Sequence, residues 1–193
     1  PEEVEGIYVE DNGCISIPGA GFHRKHENAD IQMHILDGIG IEGQSLQMGN
    51  PVAPLQIFRA KEVPHIEYDF YTFDAGSVDV YTYVLPTFPL HADRDFRLSE
   101  NTNVDTKYSI RIDDGAIATP TTSAVEYTQV WFEGVLRNYT VNKSTLHFDK
   151  PGRHTLQIRC GDPGVVIQKI VLDFGGMKRS YLGPNSTLSF RTK

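Results

Sequence analysis

Residues 65 to 84 alternate in polarity with a period of two, and this pattern leaves the chain little choice but extended strands. From His65 to Phe73, the residues Ile66, Tyr68, Phe70 and Thr72 share one face. After a turn at Asp74-Ala-Gly76, Val78, Val80, Thr82 and Val84 alternate with Asp79, Tyr81 and Tyr83. Successive side chains of a strand point to opposite sides, so each run buries one face and exposes the other. Two such runs joined by a short Gly-containing turn read as a β-hairpin.

Further strands are predicted at Ile7 to Glu10, Cys14 to Ile17, Ile31 to Leu36, Ser45 to Met48 and Lys107 to Asp113. Thr145 to Phe148, Arg153 to Cys160 and Val165 to Phe174 complete the set, with turns at Asp114-Gly115 and Pro151-Gly152. Val165 to Leu172 carries few polar residues and reads as a central strand. Val125 to Arg137 is the one helical pattern, with Val130, Trp131 and Val135 as its apolar stripe and Leu136 beside it. These elements predict an all-β fold: an antiparallel two-sheet β-sandwich, a jelly roll, with one short helix at most. A single domain is expected over residues 1–184, followed by a polar tail over 185–193. The charged stretch from Leu90 to Thr106 is expected to form a long loop.

Bulk properties exclude several functions. With 39% hydrophobic and 22% charged residues the chain has the make-up of an ordinary globular domain. Its net charge of -7, with no basic stripe, argues against a nucleic-acid partner, which needs clustered Lys and Arg. No apolar run is long enough to cross a bilayer as a helix, so no membrane partner is expected. The chain opens at Pro1 without a charged and then apolar leader, and its first Met is Met33, so it reads as beginning inside a longer product or after processing. Cys14 and Cys160 leave one bridge open, but two small buried thiols are the favoured reading.

Candidate chemistry is sparse. Asp113-Asp114 is the most tempting carboxylate pair, yet it precedes Gly115 in a plain turn, where Asp is favoured for local hydrogen bonding. No Ser-His-Asp arrangement, phosphate-binding loop or Cys-based metal site is present. His23 and His26 lie close in sequence without a zinc spacing. No catalytic residue, metal ligand or cofactor is therefore expected. Trp131, on an amphipathic segment, reads as core before it reads as a sugar platform. Arg94 and Arg97 are the residues best suited to an anionic ligand, because guanidinium pairs bidentately with carboxylate.

The run Lys150-Pro-Gly-Arg-His-Thr-Leu-Gln-Ile158, followed by Asp162-Pro-Gly164 and Gly175-Gly-Met-Lys-Arg-Ser-Tyr-Leu-Gly-Pro184, resembles the closing signature of glycoside hydrolase family 115. Glu67-Tyr-Asp-Phe70, Val84-Leu-Pro-Thr-Phe-Pro-Leu90, Tyr108-Ser-Ile-Arg-Ile-Asp-Asp-Gly115 and Trp131 with Val135-Leu-Arg-Asn138 resemble further segments of it, in order, from Tyr8 to Pro184. The resemblance implies the C-terminal, carbohydrate-binding-module-like sandwich of a xylan α-1,2-glucuronidase, with catalysis in earlier domains. It further implies the catalytic domains of the same parent chain, or a second copy, as partners, and a secreted or periplasmic address. Glucuronoxylan or a uronic acid is the implied ligand, with Arg94, Arg97, Trp131 and Asn138 as candidate sugar contacts.

Two departures from the family stand at the amino-terminal end. Where the family resembles an acidic pair in Val-Ser-Ile-Glu-Ala-Glu-His-Phe, this chain has Pro18 and Ala20. In related modules that pair helps hold Ca²⁺, a cation that wants six to eight oxygens, so no Ca²⁺ is expected here and Asp173 is left as an orphan ligand. The family's Trp, Pro and Arg give way to Met33, Asp37 and Ile41, while Gly38, Gly40 and Gly43 persist.

Overall fold

In chain order the strands are β1 (Tyr8–Val9), β2 (Cys14–Pro18), β3 (Arg24–His26), β4 (Met33–Asp37), β5 (Gln44–Met48), β6 (His65–Thr72) and β7 (Gly76–Val84). They continue with β8 (Thr106–Lys107), β9 (Ser109–Ile112), β10 (Thr121–Thr122), β11 (Thr140–Phe148), β12 (Gly152–Arg159) and β13 (Val165–Asp173), and one helix, α1 (Gln129–Arg137), precedes β11. The computed structural model describes residues 4–57, 60–87, 106–122, 127–178 and 180–187.

Two main sheets pack face to face. In the first, β6 is flanked on one side by β12 and then β9, and on the other by β1 and β3. In the second, the order is β11-β7-β13-β5-β4, with β2 sharing the far side of β13. All pairings are antiparallel except that of β1 with β6. The predicted sandwich is therefore what the chain forms, and β13 is central, between β7 and the pair β2 and β5.

The predicted hairpin at residues 65–84 is not formed. β6 belongs to the first sheet and β7 to the second, so the turn at residues 73–75 carries the chain across the core. The apolar side of the alternation is buried as expected, at Ile66, Tyr68, Phe70 and Thr72 and at Val78, Val80, Thr82 and Val84, but Glu67, Asp69 and Tyr83 on the opposite side are buried as well. What decides against a hairpin is that each strand has a longer partner elsewhere: β6 pairs with β12 over eight residues, and β7 pairs with β11 over nine. β12 and β13 repeat the device, so consecutive apolar strands face each other across the core instead of lying side by side. Glu10 holds the first crossing, its carboxylate accepting from the Thr72 hydroxyl at 2.6 Å and the Phe73 amide at 3.1 Å.

The helix is shorter than predicted. Thr128 caps it, its hydroxyl accepting from the Trp131 amide, and Asn138 ends it in the left-handed region at φ 57°. Its attachment depends on an irregularity in β13. The register of β13 against β7 shifts between Ile167 and Lys169, a β-bulge that leaves Gln168 between the ladder partners. The buried Gln168 side chain donates to the Asn138 carbonyl at 2.7 Å and accepts from the Ile41 amide at 3.1 Å. One amide thus ties the helix C-terminus and the β4–β5 loop to the central strand.

The outer face of β13 carries Lys169, which is only 2% exposed. Its ammonium meets Glu42 at 2.6 Å and donates to the Pro184 carbonyl at 2.9 Å. Ser16 holds the same segment, its hydroxyl donating to the Pro184 carbonyl at 3.1 Å and its carbonyl accepting from the Thr187 amide at 2.7 Å. Residues 180–187 are thereby strapped over the second sheet, and the rest of the expected tail, 188–193, lies outside the described residues. Cys14 and Cys160 are free thiols.

Gln168→Met keeps the size of the side chain but orphans the Asn138 carbonyl and the Ile41 amide. It should cost about 1–3 kcal/mol in urea unfolding and speed amide exchange selectively in residues 129–139. Unchanged exchange in that helix would show that the bulge does not anchor it.

Candidate functional site

The first sheet presents a charged outer face built by register. Cross-strand pairing sets Arg24 opposite Glu67 and His26 opposite His65 on β3 and β6, and Thr155 opposite Asp69 and Gln157 opposite Glu67 on β12 and β6. Arg24 lays both terminal nitrogens on Asp69, at 2.7 and 2.6 Å, and its Nε on Glu67 at 2.5 Å. Arg153 and Thr155 each add a bond to Asp69 at 2.8 Å. Burial alone would raise the Asp69 carboxyl, but the bonds from Arg24, Arg153 and Thr155 outweigh it and hold the group well below the usual carboxylate range. Glu67 follows the same pattern: burial raises it, and the Arg24 guanidinium brings it below its ordinary value.

The histidines divide differently from their sequence spacing. His23 is committed to the backbone, its Nδ1 accepting from the Asp69 amide at 3.0 Å and its Nε2 lying 2.9 Å from the Gly6 carbonyl. His26 instead stacks on His65, ring centroids 4.2 Å apart. Outward alternation along β6 names His65, Glu67 and Asp69 as one face, and this was the signal available in the sequence. The partners across β3 and β12 need the register.

The carboxylates weighed in the sequence have local work. Asp113, at φ 51°, accepts from the Thr155 amide at 2.9 Å and meets His154 Nδ1 at 2.7 Å, which fixes the turn after β9 against β12. Asp114 is fully exposed beside Arg111 at 3.6 Å. Asp173 caps the turn after β13, accepting from the amides of Gly175 at 2.8 Å and Met177 at 2.9 Å.

Of the candidate sugar contacts, Arg94 and Arg97 lie outside the described residues. Trp131 and Asn138 both belong to the α1 region. Trp131 is half-buried, not core, and packs against Tyr127 at 5.5 Å and edge-on against Phe132 at 5.0 Å. Asn138 exposes its side chain and uses its backbone for the helix cap. Within α1 only Gly134 is buried, approaching Thr140 and Pro86 so closely that a Cβ there would lie 2.9 Å from the Thr140 methyl. Tyr127, Val130 and Leu136 are 76%, 61% and 81% exposed, and Phe132 and Val135 are exposed too. A helix with so broad an apolar face, opposite only Gln129, Glu133 and Arg137, is expected to bury it against a partner. The predicted stripe is present, but it faces outward.

A groove of about 290 Å³ lies beside the helix C-terminus on the outer face of the second sheet. Tyr81, Tyr83 and Tyr139 line it with Arg137 and Lys178. Among the described residues no helix is long and apolar enough to cross a membrane.

The sequence model described as glycosyl hydrolase family 115 C-terminal domain matches residues 7–186. Among solved structures the chain is similar to a family GH115 4-O-methyl-α-glucuronidase, BtGH115A, with specificity for decorated arabinogalactans. That match has a TM-score of 0.62 at 18% identity over 84% of this chain and 18% of that one. The insecticidal crystal protein Cry2Aa matches with a TM-score of 0.53 at 12% identity, over 86% of this chain and 22% of that one. The exo-β-1,3-galactanase Pc1,3Gal43A of Phanerochaete chrysosporium matches with 0.52 at 10% identity, over 82% and 29%. At these identities the structural matches speak for the fold, and the chain spans less than a fifth of the length of BtGH115A. No curated protein matches the sequence.

The charged face should stabilise the fold in a pH-dependent way. The folded pKa of Asp69 lies below the unfolded value of about 3.9, so its contribution is complete above that value and is lost as pH falls through the folded one. Asp69→Asn should cost roughly 2–3 kcal/mol at pH 7, the range for losing a charge-assisted network whose Arg partners are partly solvated. The gap between parent and variant in urea midpoints should narrow as the pH is lowered below about 4. A gap constant from pH 7 to pH 2 would mean the network carries no net stability.

Proposed function

Because this chain belongs to the glycosyl hydrolase family 115 C-terminal domain family, we propose that it is a non-catalytic accessory sandwich that docks through α1 onto the remainder of a longer glycosidase chain. The observation that carries this reading is the apolar helix with its outward Tyr127, Val130, Phe132, Val135 and Leu136. Both sheet faces are otherwise occupied, one by charge pairs and the other largely by the 180–187 strap. The occupant follows from proportion, since the matched glucuronidase is more than five times the length of the segment matched here. A xylan α-1,2-glucuronidase is the parent we favour, and a secreted or periplasmic address accords with a polysaccharide target. A second copy is the other occupant of the same surface.

In the parent protein, Val130→Asp with Leu136→Asp should split thermal unfolding into two transitions and open a protease site next to the domain. The same pair in the isolated chain should shift stability by no more than about 0.5 kcal/mol per site, as surface substitutions do. A parent that melts and resists protease as before would overturn docking through α1. A parent that loses only its dimer would assign the surface to a second copy.

The tyrosine-lined groove favours a second reading, a binding site for glucuronoxylan. Tyr81 offers a partly exposed ring with Tyr83 and Tyr139 buried behind it, and Arg137 and Lys178 are suited to a uronate carboxylate. Titration of the chain with aldouronic acids should then show millimolar or tighter binding, weakened at least tenfold by Lys178→Ala. A flat titration would remove this reading and leave the docking role untouched.

A further inference from the structure

We propose that His26, His65 and Glu67 form a site for a divalent transition metal of zinc-like preference on the outer face of the first sheet. The three side chains come from two paired strands. His26 lies directly across from His65, and Glu67 follows His65 by two residues on the same face of β6. Their ligand atoms all lie within 4.8 Å of one another. Glu67 Oε1 is 3.3 Å from His65 Nε2, and Oε2 is 3.6 Å from His26 Nε2. Zinc bonds of about 2.0–2.1 Å in a tetrahedron place ligand atoms roughly 3.3–3.4 Å apart, so the His65–Glu67 edge already has the required length.

The hydrogen bonding around His65 points to a cation. Its Nδ1 lies 2.8 Å from the Val63 carbonyl, a group that only an N–H can satisfy. In the neutral ring the proton is therefore on Nδ1, and the Nε2 lone pair faces Glu67 Oε1. Two acceptors confronted at 3.3 Å need a positive charge between them. A second proton is the alternative occupant, but His26 beside the same carboxylate supplies the third ligand that a metal takes and a proton does not need. Anchoring one ring nitrogen to a carbonyl so that the other points at a ligand is the usual second shell of a zinc histidine. Gln157 Nε2, donating to Oε1 at 2.9 Å, fixes the carboxylate in the same manner.

Two features limit the geometry. Arg24 occupies Oε2, so the metal takes the Oε1 side, and the Arg24 charge is offset by its bidentate pair with Asp69. The two imidazole planes are only 16° from parallel, whereas a metal must lie near the plane of each ring. His26 must therefore swing out of the stack, and its side chain, 52% exposed, has room to do so. The resulting site has two imidazoles, one carboxylate and a fourth position open to water. It would fasten β3, an exposed three-residue strand whose sheet partner is β6, to the body of the sandwich.

The test uses the 193-residue chain stripped with EDTA and titrated with Zn²⁺ by calorimetry, with Co²⁺ absorption as a geometric readout and Mg²⁺ as a control. We expect one equivalent of Zn²⁺ at micromolar affinity, visible-band Co²⁺ absorption of tetrahedral strength and no Mg²⁺ heat. His26→Ala, at an exposed position that leaves the fold intact, should weaken Zn²⁺ at least tenfold and abolish the Co²⁺ band, as should His65→Ala. His147→Ala, at a separate exposed histidine, should change neither. Absence of Zn²⁺ binding, or binding that survives His26→Ala, would overturn the assignment.

Discussion

The packing of β6 and β12 against β7 and β13 is the constraint from which the other features follow. Ile66, Tyr68, Phe70, Leu156 and Ile158 meet Val78, Val80, Ile170 and Leu172 across one core. Each of these strands spends one face there, so everything else the domain does must be done with the opposite faces, the edges and the connections. Because consecutive strands cross the core, the outer face of each sheet gathers residues from distant parts of the chain. That is how Arg24, Glu67, Asp69 and Arg153 meet.

The two outer faces are resolved in different ways. On the first sheet, two carboxylates and two guanidiniums pair with one another, and Thr155 and Gln157 each add a bond. On the second, a lysine is buried in the central strand, β13. Lys169 is tolerated because Glu42 neutralises it and the Pro184 and Leu182 carbonyls accept from it. The ammonium converts a covering segment without strand structure into a fixed strap.

Sequence periodicity carried the strands well because a half-buried strand advertises itself residue by residue. Ile66 to Thr72 and Val78 to Val84 were assignable to buried faces from alternation alone. Pairing was not. The choice between a hairpin and a crossing at residues 73–75 turns on β11 and β12, more than sixty residues downstream. The same gap hid the histidine pair: His26 looked closer to His23 than to His65, and only the β3–β6 register separates the two rings' fates. For α1 the apolar stripe was visible, but which way it faces depends on what surrounds it. Gly134 settles this, since a residue without a side chain lets the helix rest on Thr140 and Pro86 and turns its larger neighbours outward.

That orientation is what recommends the helix for the docking role proposed above. The charged face would require a partner to strip water from ion pairs already satisfied within the domain, for little gain. The strapped face would require displacing Lys169 from Glu42 and leaving an ammonium uncompensated. Val130, Phe132, Val135 and Leu136 demand neither; burying them removes apolar surface from water at roughly 25 cal/mol per Å² with no polar group to desolvate first. Under that proposal Gln168 has a mechanical role, because the bulged amide that holds the Asn138 carbonyl ties α1 directly to the central strand.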